Sequence, residues 1–247
     1  MNAIEIKELT RIFKRRRAVD QLSLTVRQGE LFALLGQNGA GKTTTIRMLC
    51  GLLRPSGGDA RLMGHSVVRE PEKVKRVISL SPQETAVAAK LTVRENLRLV
   101  AEIYGAERGA AEQKAEKMLE VFGLTVRAKE RAKTLSGGMQ RKLSLAMALI
   151  PEPAILFLDE PTLGLDVRAR RELWDVVRAL KQHMTIVLTT HYLEEAEALA
   201  DRIGIMSGGR LQALGTVEEI KMAAGAETLE DAFLQMTEAE ERTGDNI

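Results

Sequence analysis

The chain has little cysteine, no long apolar run and almost no excess of charge, and each shortage narrows what it can be. With Cys50 as the one thiol in 247 residues, an internal disulfide is excluded and a reducing, cytoplasmic setting is expected. No stretch approaches the roughly 18 consecutive apolar residues that cross a bilayer; runs such as Ala154 to Leu158 are strand-sized. The first residues, Met-Asn-Ala-Ile-Glu-Ile-Lys, lack the charged-then-apolar layout of a secretory leader, so any membrane association is expected to come through a partner. Basic and acidic residues number 36 and 34, leaving a net charge of +2. A chain that holds nucleic acid by neutralising phosphates usually shows a stronger basic excess, so no nucleic-acid partner is expected. There is no internal repeat. The composition is otherwise that of a chain with a sizeable core, 45% hydrophobic and 28% charged.

What is present alternates. Ile4 to Lys7 and Leu22 to Val26 read as half-buried strands, and Leu31 to Leu35 as a strand buried on both faces. A Gly-rich loop and a helix from Lys42 to about Leu52 follow, then strands near Arg61 to Met63 and at Val77 to Leu80. Thr92-Val93-Arg94-Glu95 is a capping box that opens a helix. Ala111 to Phe122 and Ser136 to Ile150 continue a helical lobe, placed at about 88–152. Strand and helix then alternate again through Ile155 to Leu158, Arg168 to Leu180, Thr185 to Thr190 and Leu193 to Ala200. A hairpin of Arg202 to Met206 with Leu211 to Leu214 closes the series. Further capping boxes at Thr216 to Glu219 and Thr228 to Asp231 open short C-terminal helices, and the last ten residues are polar enough to fray. This order predicts an α/β fold with a largely parallel sheet.

Gly36-Gln37-Asn38-Gly39-Ala40-Gly41-Lys42-Thr43 fits the phosphate-binding loop, with a buried strand leading in and a helix leading out. Its glycines let backbone amides turn toward one centre, and the helix start adds partial positive charge. Lys42 can reach the β- and γ-phosphates, and the Thr43 hydroxyl can ligate Mg²⁺. A guanine-reading Asn-Lys-x-Asp is missing, which favours ATP. Ile155-Leu156-Phe157-Leu158-Asp159-Glu160 is an apolar strand ending in two carboxylates, Asp159 to hold Mg²⁺ and Glu160 to orient or deprotonate a water.

Leu135-Ser136-Gly137-Gly138-Met139-Gln140-Arg141 resembles the signature motif of the ATP-binding subunits of ABC transporters. Ser136 lies 19 positions before Ile155 (155 minus 136), similar to the spacing in that family. A Ser at a helix start followed by two glycines is itself a phosphate site. The resemblance covers about residues 3 to 220 and implies a fold: a P-loop NTPase (RecA-like) core with an antiparallel β subdomain and the helical subdomain inserted. It places the ATP-binding domain at 1–220 and a short helical extension at 221–247. It also implies a homodimer in which Ser136, Gly137 and Gly138 of one copy close over ATP held by the other.

Further residues take roles only through the resemblance. Gln83 matches a glutamine that contacts Mg²⁺ or the attacking water, and His191 matches a switch histidine that contacts the γ-phosphate. Gly164-Leu165-Asp166 matches the D-loop, with Asp166 near nucleotide. Phe13 stands where an aromatic ring stacks on adenine, and Val19, Asn38, Ala40 and Thr44 join the nucleotide contacts. Gln37, Leu163 and Val167 depart from residues common in relatives, but none removes a ligand or the base. Leu91 to Leu97 with Tyr104-Gly105, and Thr228 to Phe233, look like the exporter branch that moves drugs, sodium, polysaccharides or lipids. The resemblance thus implies a membrane permease as partner and a place on the cytoplasmic face of the membrane. The expected docking surface is the groove between the sheet and the helical lobe, from Gln83 to about Tyr104.

Two other functions make different demands on the sequence. Chromosome-associated relatives carry long coiled coils between P-loop and signature, whereas Thr44 to Ser136 spans 92 positions (136 minus 44), and ribosome-associated relatives carry two cassettes. A nucleotide-binding regulator without turnover would lack the base, and Glu160 is present. Lys14 to Arg17 is expected to be a solvated loop, His65 and His183 surface residues, Cys50 a small core residue, and Trp174 part of a core face with Leu173 and Val177.

Overall fold

Two sheets share the chain. The structure, a computed structural model, describes residues 1–181 and 183–244. An antiparallel sheet is built from β1 (Asn2–Phe13), β2 (Arg16–Arg27), β4 (Gly57–Leu62) and β5 (His65–Ser66), in the order β2-β1-β4-β5. The second contains β3 (Leu31–Leu35), β6 (Ile78–Ser81), β7 (Ile155–Asp159), β8 (Thr185–Thr190), β9 (Arg202–Ser207) and β10 (Arg210–Gly215). Its order is β10-β9-β3-β8-β7-β6, parallel except for the β9–β10 hairpin. The helices are α1 (Lys42–Leu49), α2 (Pro71–Lys75), α3 (Val93–Ile103), α4 (Arg108–Val121), α5 (Gly137–Leu149), α6 (Val167–Leu180), α7 (Leu193–Leu199), α8 (Val217–Ala224) and α9 (Leu229–Gly244).

Every residue of β3, β7 and β8 is buried, the apolar centres of all three strands together with Asp159 at the end of β7 and the threonines of β8. Alternation then sorts the side chains between two cores. Phe32, Leu34, Ile155, Phe157 and Val187 face α1 and the antiparallel sheet. Leu31, Ala33, Leu35, Leu156, Leu158, Ile186 and Leu188 face the helical lobe, α7 and the C-terminal helices. Each fully buried Leu, Ile or Phe contributes about 1.5–3 kcal/mol relative to exposure. The strands run the same way, so all their C-terminal ends open on one edge, where α/β folds carry ligands.

The capping box at Thr92 is formed: its hydroxyl accepts the Glu95 amide at 3.2 Å and its amide donates to Glu95 Oε2 at 2.7 Å. The box at Thr216 is formed likewise and α8 starts at Val217, where the box is expected to open a helix. The third box differs. Thr228 accepts the Asp231 amide at 3.1 Å, but the Asp231 carboxylate takes the Thr228 hydroxyl proton at 2.6 Å. Asp is one methylene shorter than Glu, and the nearby hydroxyl captures it. Leu229, Ala232 and Phe233 of α9 are buried in the main core. The helix continues to Gly244, and positions 245–247 of the polar tail expected to fray lie outside the described residues.

The first two strands are far longer than the alternating segments predict. Bulges at irregular register points, with Glu8, Lys14 and Gln21 at positive φ, let β1 and β2 bend while staying paired. Arg16 and Arg17 therefore belong to β2, opposite Phe13 and Ile12, rather than to a free loop. Trp174 packs against the core with Leu173 and Val177, as expected. Leu173 and Val177 form the buried face of α6, while Trp174 is half-buried and its indole N–H donates to Glu195 Oε1 at 3.1 Å. Cys50 is buried in the core beside α1, and burial pushes its thiol pKa up, which keeps it a protonated core side chain. His183 is exposed and His65 half-buried, 3.8 Å from Glu70.

Candidate functional site

The loop between β3 and α1 frames a cavity of about 550 Å³ at the strand ends. Two of its glycines are required by contact. A Cβ at Gly36 would lie 2.4 Å from the Met206 carbonyl, and one at Gly41 (φ 105°) would lie 2.5 Å from the Ala18 carbonyl. Of the residues expected at the site, Phe13, Asn38, Gly39, Gly41, Lys42, Thr43, Thr44, Gln83 and Glu160 line the cavity. Arg16 and Ala18 line it too. Arg16 reaches the Gly39 carbonyl at 3.4 Å. Val19, expected among the nucleotide contacts, is buried beside Gly41 of the loop, and its neighbour Ala18 lines the cavity. Ala40 is also buried, and Gly36 contributes its carbonyl to Lys42 rather than lining the space.

Lys42 is 4% exposed and its ammonium is fully engaged. Nζ donates to the carbonyls of Gly36 (2.7 Å) and Gln37 (3.1 Å) and lies 3.2 Å from Glu160 Oε1. The other oxygen of Glu160 is 2.5 Å from His191 Nδ1. Glu160 thus stands between the loop lysine and the residue that follows β8, though Glu160 and His191 are 31 positions apart. Thr43 donates to Asp159 Oδ1 at 3.0 Å. A hydroxyl and a carboxylate at hydrogen-bond distance, both hard oxygen donors, suit a divalent cation such as Mg²⁺ that takes its remaining ligands from phosphate and water. Among the described residues no cluster of three or more His, Cys, Asp or Glu side chains offers a self-sufficient metal cage.

The signature residues lie elsewhere. Ser136 caps α5, accepting the Met139 amide at 3.4 Å, and with Gly137 it is solvent-exposed. Gly138 packs toward α6, where a Cβ would meet that of Ala169 at 3.1 Å. Asp166 caps α6, accepting the Ala169 amide at 2.9 Å. None of these four lines the cavity of its own chain.

Arg141, one turn into α5, joins these parts. It is 4% exposed and bonds to backbone carbonyls: Nε to Pro161 (2.8 Å), Nη2 to Asp159 (3.0 Å), and Nη1 to Gln83 (3.3 Å) and Pro82. One guanidinium therefore binds the signature helix to the Gln83 segment and to the end of β7. Its fixed fork of five donors matches this set in a way a lysine could not. The sequence contains Arg141 within the signature, but nothing local says which carbonyls it will meet. Behind His191, Glu195 is fully buried, and burial raises its carboxyl above the ordinary carboxylate range against the opposing pull of Thr190, Thr162 and Trp174. Oε1 accepts from Trp174; Oε2 and the nearby Thr162 hydroxyl have no partner in hydrogen-bond geometry.

Two grooves adjoin the cavity along the seam between sheet and helical lobe. One, of about 410 Å³, runs past Arg47, Leu52, Pro82, Gln83 and Ala86; the next, of about 180 Å³, runs past Ala86, Val100, Tyr104 and Met147. Leu52, Ile103 and Tyr104 are exposed beside them. No described helix is long and apolar enough to cross a membrane.

Comparison with known proteins agrees with this arrangement. A family model described as ABC transporter matches residues 19–163. The daunorubicin/doxorubicin resistance ATP-binding protein DrrA of Streptomyces peucetius is 46% identical over 228 residues, covering 92% of this chain and 69% of that protein. The phospholipid-transporting ATPase ABCA3 of Homo sapiens is 41% identical over 227 residues, covering 90% of this chain but only 13% of that much longer protein. A solved structure titled as that of an ATP binding subunit of an ABC transporter superposes with a TM-score of 0.84 at 31% identity, covering 95% of this chain and 99% of the other.

Proposed function

Because the chain belongs to the ABC transporter family as an ATP-binding, ATP-hydrolysing subunit, we propose that its hydrolysis drives export of a small hydrophobic drug or lipid through a separate membrane permease. The observation that carries the reading is that Lys42 and Glu160 meet in one cavity while His191 holds the other oxygen of Glu160, each residue coming from a different strand end. Lys42 would leave Glu160 for the β- and γ-phosphates, since both compete for the same ammonium. Glu160, freed of Lys42 and held by His191, would then accept a proton from an attacking water. Phe13 would stack on adenine, and Gln83 would contact Mg²⁺ or the attacking water and sense the permease. Thr43 and Asp159 would hold Mg²⁺, which supplies charge neutralisation at the transferring phosphoryl group.

Two copies are needed. Ser136, Gly137 and Asp166 are exposed and outside their own cavity, so a second copy's nucleotide is the phosphate they would meet. The permease would seat on the paired grooves between Gln83 and Tyr104, where exposed apolar side chains flank Gln83. Substrate class is carried by the resemblance to drug-resistance and lipid-transporting relatives. The test is co-expression with the permease encoded beside it. The wild type is expected to bind membranes only then and to export substrate in an ATP-dependent way. Glu160→Gln is expected to stay membrane-bound and retain ATP while turnover falls at least about 100-fold. Export unaffected by Glu160→Gln, or tight ribosome or DNA binding without permease association, would overturn the reading.

A further inference from the structure

Thr189, near the end of β8, is a polar residue where an apolar one would fill the space. It is fully buried, and β8 pairs in parallel with β7 so that Thr189 stands opposite Asp159. On the α1 side of the sheet, the rows Ile155-Phe157-Asp159 and Val187-Thr189 run side by side. Ile155, Phe157 and Val187 are core, and only at the strand ends do the rows turn polar. A valine would satisfy the burial equally well, and would be closer in shape than any other residue.

The hydroxyl is used in both directions. It donates to Asp159 Oδ1 at 2.6 Å and accepts the Glu160 amide at 3.0 Å. The Thr189 backbone carbonyl accepts the same amide at 3.1 Å. Glu160 needs such restraint: its φ is +49°, in the left-handed region that non-glycine residues seldom adopt. The turn there sets which way the Glu160 carboxylate faces. Asp159 Oδ1 accepts a second hydrogen bond, from Thr43 at 3.0 Å. A hydroxyl donates its proton and offers its lone pairs at the same time, so Thr43 could face a cation while still bonded to Asp159, and Thr189 is the second donor that fixes that carboxylate from inside the sheet.

We propose that Thr189 is a positioning residue for hydrolysis, one buried hydroxyl fixing both the carboxylate that receives the metal and the backbone turn that aims the base. The proposal rests on the reading of Asp159 as metal ligand and Glu160 as base. A structural role alone, satisfying a buried polar atom, would be lost without a particular effect on metal dependence.

The experiment compares Thr189→Val, which keeps the shape and removes the hydroxyl, with Thr189→Ser, which keeps the hydroxyl. Binding of a fluorescent ATP analogue is titrated in EDTA and again against Mg²⁺, Mn²⁺ binding in the presence of ATP is followed by electron paramagnetic resonance, and turnover is measured at saturating Mg²⁺. Thr189→Val is expected to bind nucleotide without metal within about twofold of wild type. Its Mg²⁺ half-saturation and Mn²⁺ dissociation constant should each rise about tenfold and its kcat fall about tenfold, the scale of one charge-assisted hydrogen bond. Thr189→Ser should stay within about threefold of wild type in each. Wild-type metal dependence and kcat in Thr189→Val, or a Ser variant as impaired as the Val variant, would overturn the proposal. If Thr189→Val does not fold, Thr189→Ala is judged by the same criteria. Asp159→Asn serves as reference: if it leaves the Mg²⁺ dependence unchanged, the metal-site reading itself falls, whereas a shifted Asp159→Asn beside a silent Thr189→Val removes only the role of Thr189.

Discussion

Glu195 illustrates how a single buried carboxyl reports on the site around it. It sits behind His191, faces Thr190, Thr162 and Trp174, and has Arg170 and Arg141 as the charged groups that act on it or feel it. Burial outweighs these and raises its pKa. Folding therefore favours the protonated form, and the contribution is complete below the ordinary carboxylate range. It is lost as pH rises through the raised value, where the folded state must carry an unsolvated charge with Oε2 unpaired. Glu195→Gln keeps the acceptor for Trp174 and removes that charge. Its melting temperature is expected to exceed wild type at pH 8 by on the order of 2–4 °C, equivalent to about 1 kcal/mol, and to converge with wild type near pH 4. A gap that does not change with pH in thermal scans would rule the explanation out.

At the scale of elements, α5 carries both the exposed signature cap and the buried Arg141, a turn apart. The helix therefore cannot shift against β7 or the Gln83 segment without breaking bonds from Arg141 to Pro82, Gln83, Asp159 and Pro161. The capping box fixes the start of α3, and the ion pairs from Arg94 to Glu112 and Glu116 tie α3 to α4. Lysine at 141 keeps the charge but cannot reach carbonyls spread around a planar fork. Arg141→Lys is expected to lower the melting temperature by on the order of 5 °C, from loss of about 2 kcal/mol of buried hydrogen bonding. Amide exchange should quicken at 82–86 and 159–163 and stay unchanged in β1 and β2. Uniform quickening across both sheets would show a general loss of stability instead of a broken junction.

For the whole molecule, the decisive geometry is the separation of two phosphate sites. Ser136 is exposed and does not line the P-loop cavity of its own chain, so on the proposed reading a complete site would take two chains. Lys42→Ala and Ser136→Arg should each inactivate a homodimer. Mixed, they should recover activity in proportion to heterodimer formed, because one composite site per heterodimer holds neither substitution. Up to about a quarter of wild-type activity is expected if single sites turn over independently, since half the dimers in an equal mixture are mixed and each has one intact site of two. ATPase assays across mixing ratios check this. Full activity of either variant alone would contradict the shared-site reading.

The phosphate loop, the paired carboxylates at the end of β7, the signature and the switch histidine are legible in sequence because each is a short motif. Their geometry is fixed by local backbone: a strand that must be buried, a glycine that no Cβ could replace, a helix start that needs a cap. Strand boundaries in β1 and β2 were less legible, since bulges break the alternation by which strands are recognised. The contacts of Arg141, Glu195 and Thr189 were not legible at all. Arg141 meets Pro82 from 59 positions away, and Thr189 meets Asp159 from 30. The Thr189–Asp159 pair forms because β7 and β8 are neighbours in a parallel sheet, and the Arg141–Pro82 contact because α5 packs against the end of β6. Likewise, the sequence does not say that Val19 is buried while Ala18 lines the cavity. The sequence determined which chemical groups the chain carries to the strand ends, and tertiary structure decided which of them face the cavity and what holds each one there. Local motifs are set by steric and hydrogen-bonding limits within a few residues, whereas long-range partners are set by how whole sheets and helices pack.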